Sequence, residues 1–400
     1  MSGKAATMRC IACGTVADSE LPDSSCSQCG NLLEITYGRL KLSKKQLFDG
    51  AGPGIWRFRA SLPFGSKVEP VSLNEGNTPL VRARNLTAAG TVSDLFFKND
   101  GQNPTGSFKD RGMSAAVTRA KTMGAKALVC ASTGNTAASL AAYAARARLP
   151  AVVVVPKGKT ATGKLGQAFS YGARVFGVDG NFDAALKLVF ELVRKHSKFY
   201  LVNSVNPFRI EGQKVAAFEV FEQLGGVPDY VILPVGNAGN ISAYWKGFKE
   251  LKASGISRKL PKMIGVQAEG AAPIVEALAN GTEVKPWPEP STVATAIRIG
   301  NPVSWKKAIN AIKESGGSAL TVSDEEILAA REELATKEGL LVEAASAAPA
   351  AALQKLKLPK NASIVCIATG NGLKDVTDHK IRMDVEPVVD SEGLTRSFSP

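Results

Sequence analysis

NPTGSFKDRGM, residues 103–113, sets Lys109 between two patterned segments. Upstream, Leu95, Phe96 and Phe97 read as a strand. Downstream, residues 112–124 carry Ala115, Ala116, Val117, Ala120 and Met123 at roughly helical spacing. Lys109 therefore belongs at a strand-to-helix junction, where α/β proteins commonly place chemistry. A desolvated lysine there can act as a Schiff-base nucleophile. The plain alternative is a solvated loop lysine, the usual condition of that side chain.

Outward from this point the pattern alternates. Strands are predicted over 94–98, 126–131, 151–155, 174–178, 229–234, 262–267 and 363–368. Helices are predicted over 111–124, 135–147, 163–172, 181–196, 210–224, 239–253, 271–279, 303–315, 324–337 and 344–356. Apolar runs such as 152–155 and 230–233 suit parallel strands covered on both faces. The expectation is an α/β fold with right-handed crossovers. Ahead of it, residues 39–91 form an arm and the start of the body. The arm is irregular over 39–70, with a short helix near 43–49, and NEGNTPL follows at 74–80. The last stretch, 381–400, reads as a loosely ordered tail.

The opening 1–38 is a segment of its own. Cys10 and Cys13 form one CxxC, Cys26 and Cys29 a second, and Gly14 and Gly30 follow them. Two such pairs can close a four-thiolate zinc site. A closed site has no open position, so the expected role is structural. A disulfide reading fits poorly with the reducing compartment suggested by the start MSGKAATMRC, which has no apolar signal core. A cytoplasmic protein is expected.

The 400 residues are 44% hydrophobic and 21% charged, in keeping with an ordinary soluble globular protein. No apolar run reaches the length of a membrane span. The net charge of +13 suits either nucleic acid or small phosphorylated molecules. The basic residues are dispersed, which favours the second. Only His196 and His379 occur and there is no GxSxG, so histidine metal sites and Ser-His-Asp hydrolysis have little to build on. GKTATGKL at 158–165 nearly matches a P-loop, but Leu165 stands where a magnesium-binding hydroxyl is needed. Lys157 just before it, with Lys159 and Lys164, instead adds positive field near the phosphate-binding cleft. TGNGLKD at 369–375 has Asp375 where a dinucleotide fingerprint needs glycine. Cys130 and Cys366 lie in apolar strands and read as packing.

Three further motifs follow predicted strands: STGNT at 132–136, GNAGN at 236–240 and TGNG at 369–372. With SFKDRG, this ordered set resembles the fold-type II pyridoxal-phosphate enzymes, the tryptophan synthase β-like fold. NPTGSFKDRG together with NSVNPFRIEGQK at 203–214 is most similar to the threonine synthases. The resemblance covers roughly 72–380 and implies two α/β domains. The catalytic body would span 92–380, its smaller domain taken from about 110–215, with the active site between the two.

What the resemblance implies is specific. Lys109 would bond the aldehyde of pyridoxal 5'-phosphate and later shuttle protons. Gly236, Asn237, Ala238, Gly239 and Asn240 would cradle its phosphate. Small residues before a helix favour an anion through their N–H groups, although such a turn is as often plain structure. Thr369 would meet the pyridine nitrogen and Asn135 the phenolic oxygen. Ser132, Thr133 and Thr136 would take the substrate carboxylate. Asn135 in STGNT can equally be an ordinary helix cap. Asn203, Ser204 and Arg209 would hold the substrate's own phosphate, for which a guanidinium fork is suited.

The implied activity is conversion of O-phospho-L-homoserine and water to L-threonine and phosphate. The partner is thus a small phosphorylated amino acid, with no nucleic acid and no membrane, and a homodimer as in many relatives. Asn371 departs from the TGHGLKD common in that family, which leaves phosphoserine plus sulfite, as in cysteate synthase, as an alternative. A threonine or serine dehydratase needs no Arg209. A zinc-ribbon nucleic-acid protein would leave the cofactor-like motifs unexplained.

Overall fold

The computed structural model describes residues 6–17, 25–38, 41–86, 94–157, 162–180 and 182–375. The expected tail at 381–400, His379 and the 158–161 part of the P-loop-like segment lie outside these residues, and of 162–164 only the backbone is described.

The opening segment folds as a small antiparallel sheet. β1 (Ala6–Cys10) lies between β2 (Val16–Ala17) and β3 (Leu33–Tyr37), with Cys10 opposite Leu33. Each CxxC ends in a tight turn. The Gly14 N–H donates to the Cys10 carbonyl at 3.2 Å, and the Gly30 N–H to the Cys26 carbonyl at 2.9 Å. Both glycines have φ near +70°, namely 74° and 70°, a region that side chains with a Cβ disfavour.

The arm contributes α1 (Lys44–Phe48), capped by a reciprocal Ser43–Gln46 box. β4 (Leu80–Arg82) then pairs antiparallel with β5 (Asp94–Asn99). The helix opening at the central lysine is α2 (Lys109–Thr122). β6 (Ala127–Ala131), α3 (Asn135–Ala147), β7 (Ala151–Pro156), α4 (Thr162–Ser170), β8 (Arg174–Val178), α5 (Phe182–Lys195) and β9 (Phe199–Leu201) follow in alternation. They build a four-stranded parallel sheet in the order β8-β7-β6-β9.

The chain returns through α6 (Pro207–Leu224), β10 (Tyr230–Pro234), α7 (Gly239–Ala253), β11 (Lys262–Ala268), α8 (Pro273–Asn280), α9 (Trp305–Glu314), β12 (Ser318–Val322), α10 (Asp324–Glu338), α11 (Ala344–Ala352) and β13 (Ser363–Ala368). The large sheet runs β12-β11-β10-β13-β5-β4, parallel except for β4. Val231, Ile232 and Leu233 are fully buried, as expected of a strand covered on both faces. No helix among the described residues is long and apolar enough to cross a membrane.

The predicted strands and helices all occur, with ends moved by a few residues. Three body strands went unforeseen. β4 and β9 have three residues each, too few to show a period, and β12 reads SALTV with only its last residue buried.

Helices α2 and α6 approach closely. A Cβ on Gly212 would lie 2.0 Å from the Arg111 carbonyl oxygen, and one on Gly112 would lie 2.8 Å from the Arg209 carbonyl oxygen. The two glycines let the backbones touch, and so set the spacing between Lys109 and Arg209. Around that contact lies a buried ion cluster. Arg111 meets Asp100 at 2.8 Å and Glu219 at 2.7 Å, and Lys98 meets Glu219 at 2.7 Å, all at most 1% exposed.

Candidate active site

Lys109 is the first residue of α2, and the loop leading to it is laced to the TGNG turn. The Phe108 N–H donates to the Thr369 carbonyl at 3.0 Å, and the Asn371 N–H donates to the Gly106 carbonyl at 2.9 Å. Lys374 Nζ donates to the Thr105 carbonyl at 2.6 Å. Asp110 secures the loop from below. Its carboxylate accepts from the Thr105 N–H at 2.7 Å, Thr105 Oγ1 at 2.6 Å and Ser139 Oγ at 2.6 Å. Two segments more than 260 residues apart in sequence are thereby joined at the lysine.

Burial lowers the Lys109 pKa to about 7, the Arg209 and Lys374 charges adding to the effect and Glu343 opposing it. Near neutrality a large fraction of this amine is therefore unprotonated and nucleophilic. Its Nζ lies 3.7 Å from the centroid of the Phe108 ring.

Glu343 was not singled out from sequence. It is 1% exposed and directly precedes α11. Its carboxylate accepts the Asn135 amide at 2.9 and 3.0 Å. A Cβ on Gly370 would fall 2.1 Å from Glu343 Oε1, so only glycine fits above this carboxylate. The available signal was a single acid inside the apolar run LLVEAASAA. The alternative reading of Asn135 as an ordinary cap is not realised. Gly134 is the N-cap of α3 without a side-chain bond, and the Asn135 amide turns to Glu343. Ser132 Oγ accepts from the Gly134 N–H at 3.2 Å. Ser132 and Thr133 are half-buried and Thr136 is buried, on the same turn.

Thr369 directly follows β13, and its Oγ1 pairs with Ser346 Oγ at 2.9 Å. Asn371 accepts from the Leu373 N–H at 3.0 Å, acting as the cap of the turn that follows. The GNAGN turn joins β10 to α7. Ala238 adopts φ 65°, and α7 starts with no side-chain cap. Its first N–H groups thus have no side-chain cap to satisfy them, a geometry that can hold an oxyanion.

Arg209, on α6, is 2% exposed. Its Nη1 donates to the Val202 carbonyl at 3.1 Å, its Nε has no hydrogen-bond partner, and no ion pair of Arg209 occurs among the described residues. Burial lowers its pKa to about 10, with the Cys130 thiol the one group pulling the other way. The guanidinium remains charged at neutral pH, and an unpaired buried charge calls for an anion. Asn203 on the preceding loop is engaged elsewhere. Its amide clasps the Ala131 N–H and carbonyl, both at 2.9 Å, so its visible work is to hold the loop that carries half-buried Ser204. The Cys130 thiol is pushed up to about 12 by burial, which fits packing and not nucleophilic chemistry.

The four opening cysteines form one cluster, their sulfurs all within 4.8 Å of one another. Cys10 to Cys29 is 3.4 Å and Cys13 to Cys26 is 3.6 Å.

A family model described as "Pyridoxal-phosphate dependent enzyme" matches residues 71–370. The threonine synthase of Methanocaldococcus jannaschii is 51% identical over 395 residues, 95% of each chain. That of Synechocystis sp. is 52% identical over 321 residues, covering 80% of this chain and 82% of its own. Among solved structures, maize serine racemase has a TM-score of 0.63 at 22% identity, over 80% of this chain and 91% of its own. The processed form of threonine deaminase isoform 2 from Solanum lycopersicum has a TM-score of 0.63 at 24% identity, over 80% of this chain and 81% of its own. These two likenesses show the fold.

Because the Lys109 amine is shifted to about 7, partly by Arg209, its reactivity should rise with pH through about 7 and level off above. Reductive methylation followed by mass spectrometry at a series of pH values checks this. Arg209→Leu should move the midpoint upward, and a wild-type midpoint near the ordinary lysine value would contradict the assignment.

Proposed function

The chain belongs to the pyridoxal-phosphate dependent enzymes and, within them, to the threonine synthases, and we propose that it converts O-phospho-L-homoserine and water to L-threonine and phosphate. The observation that carries the substrate choice is Arg209, buried and with no ion pair among the described residues. With the substrate carboxylate assigned to Ser132, Thr133 and Thr136, an unphosphorylated substrate would bring no second anion to that charge.

The residues fit the cofactor. Ser107 Oγ, Asn135 Oδ1 and Asn240 Nδ2 are buried and have no hydrogen-bond partner among the described residues. Such groups are few in native structures and point to a bound polar molecule. Lys109 would hold the cofactor's aldehyde, residues 236–240 its phosphate, Thr369 its pyridine nitrogen and Asn135 its phenolic oxygen. Pyridoxal 5'-phosphate would supply an electron sink that acidifies the substrate α-carbon and, once that proton is lost, the β-carbon, whose proton loss lets phosphate leave the γ-carbon. A neutral hydroxyl at the ring nitrogen, unlike a carboxylate, keeps that sink mild, which suits elimination and water addition.

The remaining work falls to the chain. The unprotonated Lys109 amine accepts the substrate α-proton and returns protons later in the cycle. Arg209 binds the phosphate ester and neutralises the charge that grows on it as the C–O bond breaks. Glu343 keeps the Asn135 amide oriented and sets a negative charge against those of Arg209 and Lys374 near the lysine. Ser132, Thr133 and Thr136 receive the substrate carboxylate at the start of α3. In this reading the body spans 92–380, with its smaller part at about 110–215.

The zinc site belongs to the same proposal. Tetrahedral Zn–S bonds of about 2.3 Å put sulfurs about 3.8 Å apart. The sulfur contacts of 3.4 and 3.6 Å are close to that spacing.

Purified protein supplied with O-phospho-L-homoserine should release phosphate and threonine in a one-to-one ratio. Arg209→Leu should lower kcat/KM by about 100-fold, the loss expected for a charged hydrogen bond. Turnover of unphosphorylated homoserine or threonine instead would refute the substrate assignment. Elemental analysis should find one zinc per chain, lost in Cys13→Ser. A metal-free wild-type protein with the same melting temperature after zinc addition would refute the site.

A further inference from the structure

Gln213 sits one helical turn beyond Arg209 on α6, so the two share a face. It is 3% exposed, and its Oε1 is buried without a hydrogen-bond partner among the described residues. Nothing in the ion clusters of the fold uses it. A buried amide oxygen left in this state is destabilising, and proteins rarely keep one for packing alone.

Its surroundings are those of the active site. Gln213 Nε2 would be 2.7 Å from a Cβ on Gly112, three residues after Lys109. The lack of a side chain at Gly112 is therefore what makes room for this amide. On the other side, its Oε1 would be 4.0 Å from a Cβ on Gly239, the first residue of α7. The amide thus lies between the helix that opens with Lys109 and the turn that opens α7. Two nearby residues share its condition: Arg209 Nε, one turn back on α6, and Asn240 Nδ2, next to Gly239, are also buried and unpartnered.

We propose that Gln213 is a ligand-binding residue, whose amide hydrogen-bonds the phosphate-bearing substrate between Arg209 and the GNAGN turn. The inference rests on the phosphorylated-substrate reading above. Rotation about the terminal torsion exchanges Oε1 for Nε2, so the amide can give an N–H to an ester or phosphate oxygen, or accept from a protonated one. It adds no charge, which leaves Arg209 as the electrostatic anchor and gives Gln213 the task of orientation.

A ligand-facing amide and a structural one respond differently to Gln213→Leu. Removing an unpaired buried polar group should leave the melting temperature unchanged or raise it. Loss of a substrate hydrogen bond should raise KM for O-phospho-L-homoserine on the order of tenfold, with kcat within about twofold. Gln213→Glu, of the same shape, should raise KM further because it repels the phosphate and competes for Arg209. Both variants should retain the bound-cofactor absorbance of wild type. An unchanged KM in either variant overturns the proposal. So does a lowered melting temperature in Gln213→Leu with KM unaltered, since that is the mark of a packing role. Inactivity of the wild-type enzyme on this substrate would instead count against the function proposed, a separate outcome from a Gln213 variant that matches an active wild type.

Discussion

Arg111 is the joint on which the site depends. Its guanidinium bonds Asp100 beyond β5 and Glu219 on α6 while its own backbone runs in α2. Both acids are fully buried, and Glu219 is held far below the usual carboxylate range, its burial opposed by the stronger pull of Arg111 and Lys98. Removing one partner from such a cluster strands the others and costs about 3–5 kcal/mol. Immediately beside it, Gly112 and Gly212 let α2 and α6 touch. Charge and close approach together fix the helix that begins with Lys109 against the helix that carries Arg209. The opening sheet braces the same helix from outside. Glu211 on α6 accepts the Tyr37 hydroxyl from β3 and pairs with Lys246 at 2.5 Å. The cysteine cluster at the other end of that sheet thereby has a mechanical connection to α6.

Upon this frame the site holds charges and polar atoms in states a simple fold would avoid. The lysine is shifted toward its neutral form, one arginine lacks a counter-ion among the described residues, and several amides and hydroxyls lack partners. Each is unfavourable in the protein taken alone. The apolar packing of strands such as β6 and β7 offsets this deficit.

The sequence was most readable where periodicity and small-residue motifs coincide. Apolar runs such as 230–233 marked buried strands because both sheet faces are covered. SFKDRG, STGNT, GNAGN and TGNG marked strand-to-helix turns because few residues tolerate their backbone angles or their lack of space. Gly370 against the Glu343 carboxylate is an example. The short strands β4 and β9 escaped because three residues carry no period. Glu343 escaped for another reason: in one dimension it is a lone acid before an alanine helix, and its meeting with Asn135 bridges 208 residues. Asn203 shows the reverse case. Its motif reads as a binding segment, yet its amide is occupied by Ala131, so what it does is hold its loop.

The central claim is that the amine at position 109 bonds the aldehyde of pyridoxal 5'-phosphate. Borohydride reduction of the cofactor-loaded protein, followed by digestion and mass mapping, tests that bond itself. The account predicts reduced cofactor on the peptide containing Lys109 and nowhere else. Cofactor fixed to another lysine, or no fixed cofactor in a protein that still turns over substrate, would contradict it.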